Sequence, residues 1–283
     1  MEWEKAKNYI LLFFVLLNLA LGGLLFMESR RYSMTPEREQ AIVAILNQNN
    51  ITMDTRLMRR FAPMRAMGIS GFYYDADELV RIFFGNAAVQ RTTTLQGYRV
   101  TRRPVELVIS NGFVSYTNPH GRGEISELNP DEAQRLADAL VRANWPDFRL
   151  DIVHSGEDWI LLSYREIYRG NKIHSNFIEF LVTEDGIERV EMQFGQVQGW
   201  ESSDQQPIVS PDEALLTFVQ RTRGHAQVAP MTIAHMDLVY FLEEGSTDPD
   251  VTHRAVPFYR VFVVGEGSDP FLINAFTNEM INY

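Results

Sequence analysis

The longest apolar stretch of the chain lies near its amino terminus, where residues 8–27 read NYILLFFVLLNLALGGLLFM without a charged side chain. A helix of this length measures about 30 Å at 1.5 Å per residue, the thickness of the hydrocarbon core of a bilayer. The stretch lacks the polar face of a buried soluble helix, and no small-residue cleavage site follows it. The pattern therefore predicts an uncleaved anchor, with residues 1–33 forming a cytoplasmic tip and a transmembrane helix.

Two residues inside this stretch suggest a contact between transmembrane helices. Asn18 and Gly22 are four residues apart and therefore share one helical face. An amide is costly in hydrocarbon without a partner, and a glycine allows another helix to approach closely. We predict a partner contact at these residues, although a tolerated amide beside a neutral glycine is the alternative interpretation.

Beyond residue 33, three helix starts share one chemistry, in which a capping side chain is followed by proline and an acidic residue. These starts are Thr35-Pro36-Glu37, Asn129-Pro130-Asp131 and Ser210-Pro211-Asp212. Apolar residues at helical spacing follow each of them, and a fourth, shorter helix is predicted from Asp75 to Phe84.

Between these helices, runs rich in β-branched and aromatic residues predict strands, separated by turn signals such as Arg169-Gly170-Asn171. The predicted strands are 89–95, 98–109, 113–117, 159–168, 172–183, 187–194, 233–242, 259–264 and 271–277. Their short connections indicate antiparallel pairing. The predicted fold is α+β: an amino-terminal transmembrane helix followed by two modules of antiparallel sheet, each covered by helix. We place the modules at residues 34–125 and 126–283; a boundary after Trp145-Pro146 is the alternative, because a helix can pack with either neighbour.

Composition and motifs argue against catalysis. The chain has no cysteine, which excludes disulfides, thiolate nucleophiles and Cys-ligated zinc. Its net charge of −11 disfavours a nucleic-acid partner. The six histidines lack metal-ligand spacing, and no Walker loop or G-x-S-x-G elbow is present. We expect no enzymatic activity, no metal and no cofactor. Lys172 is the only lysine after residue 33, which we interpret as compositional bias.

Exposed aromatic side chains are the remaining candidates for a binding surface outside the apolar stretch. Phe72, Tyr73 and Tyr74 form a cluster, and Trp200 lies in a polar segment. We predict that these four residues contact a partner, with packing in the core or at a sheet edge as the alternative.

Several segments resemble those of a known family. The opening MEWEKAK, which leads into an apolar run containing Leu17-Asn18-Leu19, resembles the YycI (WalI) regulators of two-component systems. Residues 168–173, 177–179 and 185–187 are similar to ectodomain strands of YycI and its relative YycH, and also to PepSY-type modules. Residues 210–215 and 273–277 fit the same layout.

The resemblance implies a single-pass protein of the cell membrane, with a cytoplasmic amino terminus and an extracytoplasmic bulk that has no enzymatic activity. Charge alone leaves the orientation open, because basic residues flank both ends of the apolar stretch. The implied function is to regulate a WalK/YycG-type sensor histidine kinase of cell-wall homeostasis, through transmembrane and extracytoplasmic contacts and alongside a YycH-like protein. The alternatives are an extracytoplasmic peptide- or ligand-binding sensor module and, more remotely, an anchored hydrolase. The sequence leaves the oligomeric state open, and a homodimer is compatible with it.

Overall fold

The computed structural model describes residues 2–71, 74–95, 97–110, 112–226, 229–243, 251–264 and 270–281. In these ranges the chain forms five helices and fifteen strands. The helices are α1 (Glu2–Arg31), α2 (Pro36–Gln48), α3 (Ala76–Phe84), α4 (Pro130–Asn144) and α5 (Pro211–Ala226). The strands are β1 (Ile51–Met53), β2 (Met67–Ser70), β3 (Gln90–Thr94), β4 (Gly97–Arg102), β5 (Val105–Ser110), β6 (Phe113–Thr117), β7 (Phe148–Ser155), β8 (Ile160–Tyr168), β9 (Asn171–Thr183), β10 (Gly186–Gln193), β11 (Gln196–Trp200), β12 (Met231–Leu242), β13 (Thr252–Val263), β14 (Phe271–Asn274) and β15 (Met280–Ile281).

The four helices predicted beyond residue 33 are confirmed, and their caps explain where they begin. The side chains of Thr35, Asp75 and Asn129 each accept hydrogen bonds from backbone amides in the first turn of their helices. At α5 the backbone amide of Ser210 donates to Glu213 Oε2 at 2.9 Å, which is one half of a capping box.

Most of the predicted strands are present, with two clear differences. The predicted strand 98–109 is two strands, β4 and β5, because the chain turns at the cis peptide bond between Arg103 and Pro104. Strand β13 begins at Thr252, well before the predicted residue 259. Strands β1, β2, β7, β11 and β15 were not predicted.

The strands join in one sheet, whose main path runs β11-β2-β13-β12-β9-β10-β6-β5-β4-β3. Strand β7 pairs with β8, which pairs with β9, and β14 joins the sheet beside β13. The pairings of the described strands are antiparallel except β1 with β12 and β9 with β12. The β9–β12 pairing, at Ile173 and Tyr240, connects two halves of the sheet. One half contains β3 to β10, and the other contains β1, β2 and β11 to β15.

Two main hydrophobic cores lie on this sheet. The first core is the buried cluster between Tyr74 and Met192, in which α3 and α4 pack on strands β4 to β10. The second core combines residues 34–61 with residues 208–275, so that α2 and α5 cover β12, β13 and β14. Arg38 of α2 connects the two sequence segments of the second core. It donates hydrogen bonds to Asp212 Oδ1 at 2.9 Å and to Ser210 Oγ at 2.8 Å.

The structure corrects one part of the predicted fold class. Across the described part of the chain, no helix has the length and apolar character needed to cross a membrane. This finding contradicts the transmembrane anchor at residues 1–33, the single-pass topology and the cell-membrane localisation with a cytoplasmic amino terminus. The fold is α+β, with a large, mostly antiparallel sheet and five helices in the described residues.

Candidate binding cleft

A cleft of about 750 Å³ opens between the first core and the β2–β11 edge of the sheet. One wall is the segment that connects α4 to β7, with Trp145 and Asp147. The end of β2 and the start of β11 also line the cleft, with Ser70 and Gln196. The cleft therefore lies where the chain enters the first core after β2 and leaves it before β11.

The aromatic lining of the cleft is held in place by contacts with residues of the first core. Phe194 lines the cleft, and its ring centroid lies 5.1 Å from that of Tyr74 and 5.3 Å from that of Phe148, in edge-to-face contacts. Tyr74 also accepts a hydrogen bond from the backbone amide of Phe194 at 2.8 Å and donates one to the carbonyl of Gly112 at 2.9 Å. Burial raises the pKa of the Tyr74 hydroxyl, which therefore stays protonated.

The predicted aromatic contact residues do not form one surface among the described residues. Tyr74 is only 8 % exposed and supports the cleft from inside the first core. Trp200 is partly buried between Tyr168 and Tyr240, at centroid distances of 6.0 and 5.9 Å. Phe72 and Tyr73 lie outside the described residues.

The two residues predicted to contact a transmembrane partner lie on α1. The side-chain amide of Asn18 donates to the carbonyl of Phe14 at 2.8 Å, within its own helix. A Cβ added at Gly22 would meet no atom within 4 Å. Because the transmembrane anchor is contradicted, we propose no transmembrane partner contact at these residues.

An irregularity in β9 brings polar side chains to the cleft. Arg165 of β8 pairs with Phe177, whereas the next residue, Glu166, pairs with Ile173, so residues 174–176 have no partners in β8. Such bulges redirect side chains and are frequent beside functional sites. Here the bulge places Asn176 against the cleft and His174 against a buried ion-pair network.

Glu166 is a half-buried carboxylate that lines the cleft. Asn176, which is fully buried, donates to Glu166 Oε2 at 2.5 Å and to the carbonyl of Gly195 at 2.9 Å, and it accepts from the amide of Gly195. Burial raises the pKa of Glu166, with a further contribution from Asp147, against the opposing effect of the Asn176 hydrogen bond. Among the ion pairs of the described residues, none includes Glu166 or Asp147.

Next to the cleft, a network of buried charges joins the two halves of the sheet. At its centre Arg260 of β13 is 1 % exposed and lies 2.7 Å from Asp151 Oδ2 of β7 and 2.6 Å from Asp237 Oδ2 of β12. Lys172 of β9 donates to the same two aspartates, at 2.8 Å in the case of Asp237. The only lysine after residue 33 therefore lies in a network of buried and half-buried charges.

The positive and negative side chains of this network balance each other, and the surrounding groups fix their ionisation states. Burial alone would raise the pKa of Asp151, but hydrogen bonds and charges from Arg260 and Lys172 outweigh it and hold that pKa well below its usual range. Burial, together with Arg165 and Arg260, lowers the pKa of His174 well below its usual value, so the imidazole is neutral near pH 7. The network acts as a structural connection between the halves of the sheet.

The arrangement of the cleft suits binding. Clefts of 300–1,000 Å³ with mainly apolar walls and a few placed polar groups are typical of ligand sites. The described residues contain no group of three or more His, Asp or Glu side chains that could hold a metal ion. Glu166 and Asn176 were not predicted as site residues, because neither belongs to a sequence motif. For the buried ion-pair network, the one available sequence signal was Lys172, the only lysine after residue 33.

No family model matches the chain, and no curated protein matches it. Among solved structures, the chain is similar to an uncharacterized protein from Eubacterium rectale, with 11% identity, a TM-score of 0.56, and coverage of 83% of this chain and 91% of that one. It also matches the C-terminal domain of Bacillus megaterium YpeB, with 9% identity, a TM-score of 0.44, and coverage of 74% and 97%. The first likeness shows a shared fold.

Proposed function

We propose that this protein is a non-catalytic regulator that binds a segment of a partner protein in the cleft between its first core and the β2–β11 edge. The observation that carries the proposal is the cleft itself, with its aromatic lining and its half-buried carboxylate. A regulator of this kind needs no reactive group. It only has to bind one state of its partner more tightly than another, and a 100-fold preference corresponds to about 2.7 kcal/mol.

The partner in this proposal is a sensor histidine kinase of the WalK/YycG type, with a YycH-like protein as a second component. The resemblance of the MEWEKAK opening and of residues 168–173 to YycI regulators supports this choice. Residues 168–173 include Tyr168, which lines the cleft, so the resemblance and the cleft meet at the end of β8.

The cleft also favours a second candidate, a sensor module that binds a free peptide. Both candidates use the same surface and differ in whether the occupant belongs to the kinase. A peptide sensor would bind the kinase elsewhere, so filling its cleft would abolish peptide binding and leave kinase binding intact.

The test is a bulky substitution at the cleft with a matched control. Gln196 lines the cleft at one end of the strand order, and Gln90 lies in β3 at the other end. Both side chains are exposed, so tryptophan is tolerated at either position without disturbing a core. Equal melting temperatures of the two full-length variants would verify this.

We expect Gln196→Trp to abolish co-purification with the kinase and the effect on kinase autophosphorylation, whereas Gln90→Trp leaves both unchanged. Normal kinase binding by Gln196→Trp would contradict the proposal. Normal kinase binding together with loss of peptide binding would support the sensor module instead.

A further inference from the structure

We infer that the cleft receives a cationic side chain, arginine or lysine, from an extended peptide segment, and that Glu166 is its ion-pair partner. This inference rests on the proposed function, because it specifies the chemistry of the segment that the cleft binds. It depends on three features of the described residues: an unpaired carboxylate, aromatic walls and an adjacent strand edge.

The carboxylate is the first feature, and the neighbouring network shows why it is unusual. Asp151, Asp237 and Glu179 are partly or fully buried, and each lies within 4.0 Å of an arginine or lysine nitrogen. Glu166 is also half-buried, but its described contact is the neutral amide of Asn176. A buried carboxylate without a cation is costly, and a cation supplied by a ligand would remove that cost.

The charged side chains that line the cleft, Glu166 and Asp147, are both carboxylates. Asp147 lines the same cleft and is exposed, so it extends the negative potential to the entrance. The whole chain carries a net charge of −11, which favours the approach of a cationic segment. The lining of the cleft itself includes no arginine or lysine.

The aromatic walls complete the recognition of a cation. Guanidinium and ammonium groups bind over aromatic rings, most strongly over tryptophan. Trp145 lines the cleft on the same wall as Asp147. The guanidinium of Arg169 already lies 5.4 Å from the ring centre of Tyr168, which shows that a ring of this lining accepts a cation.

An extended conformation of the ligand follows from the strand edge. Strand β11 ends the main path of the sheet, and of the described strands it pairs with β2 alone. Its first residues, Gln196 and Val197, line the cleft. Sheet edges bind extended peptides through main-chain hydrogen bonds, while pockets beside them select the side chains. Glu166 would provide that selection.

The test compares two blocked pentapeptides, Ala-Leu-Arg-Leu-Ala and the same peptide with citrulline in place of arginine. Citrulline keeps the shape of arginine without its charge. The readout is the indole N–H resonance of Trp145 in the full-length, nitrogen-15-labelled protein. Trp159, which lies in a different surface pocket, is the internal control.

We expect a saturable shift at Trp145 with the arginine peptide and binding at least about tenfold weaker with citrulline, because citrulline lacks the charge that pairs with Glu166. Glu166→Gln should abolish the preference, because glutamine can still accept from Asn176 but carries no charge. Glu157→Gln, at an exposed glutamate outside the cleft, should keep it.

Equal binding of the two peptides, no shift at Trp145, or an unchanged preference in Glu166→Gln would overturn the inference. The proposed function fails separately. If Gln196→Trp blocks kinase binding while the peptides bind equally, the regulator stands and the cationic ligand is wrong. If the arginine preference holds while Gln196→Trp binds the kinase normally, the cationic site stands and the regulatory role of the cleft is wrong.

Discussion

Asn176 donates a hydrogen bond to Glu166 at 2.5 Å and at the same time bonds both the amide and the carbonyl of Gly195. One buried side chain thus holds the carboxylate of the cleft and the segment that leads into β11. It reaches both because the bulge in β9 frees residues 174–176 from pairing with β8. The geometry of the cleft depends on this single amide.

Replacing Asn176 with alanine should therefore destabilise the protein. The change leaves the amide and carbonyl of Gly195 and the carboxylate of Glu166 without their partner, and unsatisfied buried groups cost about 1–3 kcal/mol each. We expect the free energy of unfolding in urea to fall by about 2–4 kcal/mol. Asn47→Ala, at an exposed position of α2, is the matched control and should stay within about 0.5 kcal/mol of the parent. A loss as small as that control would show that Asn176 does not hold the cleft.

Glu166→Gln should have the opposite effect on stability near neutral pH. The folded protein raises the pKa of Glu166 above its unfolded value, so the ionised carboxylate disfavours folding. This penalty is absent below the unfolded pKa of about 4.3 and grows as the pH rises through the folded pKa. The variant should thus be as stable as the parent at pH 4 and more stable at pH 7. The measurement is urea unfolding at both pH values, and a less stable variant at pH 7 would contradict this account.

Removing Arg260 should disrupt the connection between the halves of the sheet. Arg260→Ala removes the arginine that lies between Asp151 and Asp237, which keep Lys172 and, for Asp151, Arg165 at 4.0 Å. Breaking a buried ion pair typically costs about 3–5 kcal/mol. Arg254→Ala, which breaks exposed ion pairs with Glu201 and Glu243, should cost less than about 1 kcal/mol. Equal effects of the two variants on urea unfolding would show that the network adds no more than a surface ion pair.

Local sequence patterns predicted the elements whose determinants are local. The caps at Thr35, Asn129 and Ser210 mark the helix starts, because side chain and backbone within one turn decide them. The turn Arg169-Gly170-Asn171 separates β8 from β9, because both Arg169 and Gly170 have positive φ angles, 48° and 80°. These features need no tertiary contact to be recognised.

Long-range features had no such signal. The second core joins residues 34–61 to residues 208–275, and nothing local indicates that partnership. Strands β2 and β11 are four and five residues long and pair with each other at the edge of the sheet. Of these two strands, only β2 also pairs with β13. The cleft lies beside these two strands, and its carboxylate is positioned by the bulge in β9. Neither could be predicted without the strand order.

The most direct test of the central claim places a photo-crosslinking amino acid, p-benzoylphenylalanine, at position 196 of the full-length protein. Irradiation in cells that contain the kinase should yield a covalent adduct between the two proteins, since Gln196 lines the cleft. The same amino acid at position 90, on the opposite edge of the sheet, should yield none. An adduct from position 90 with none from position 196 would contradict the claim that the partner binds in the cleft.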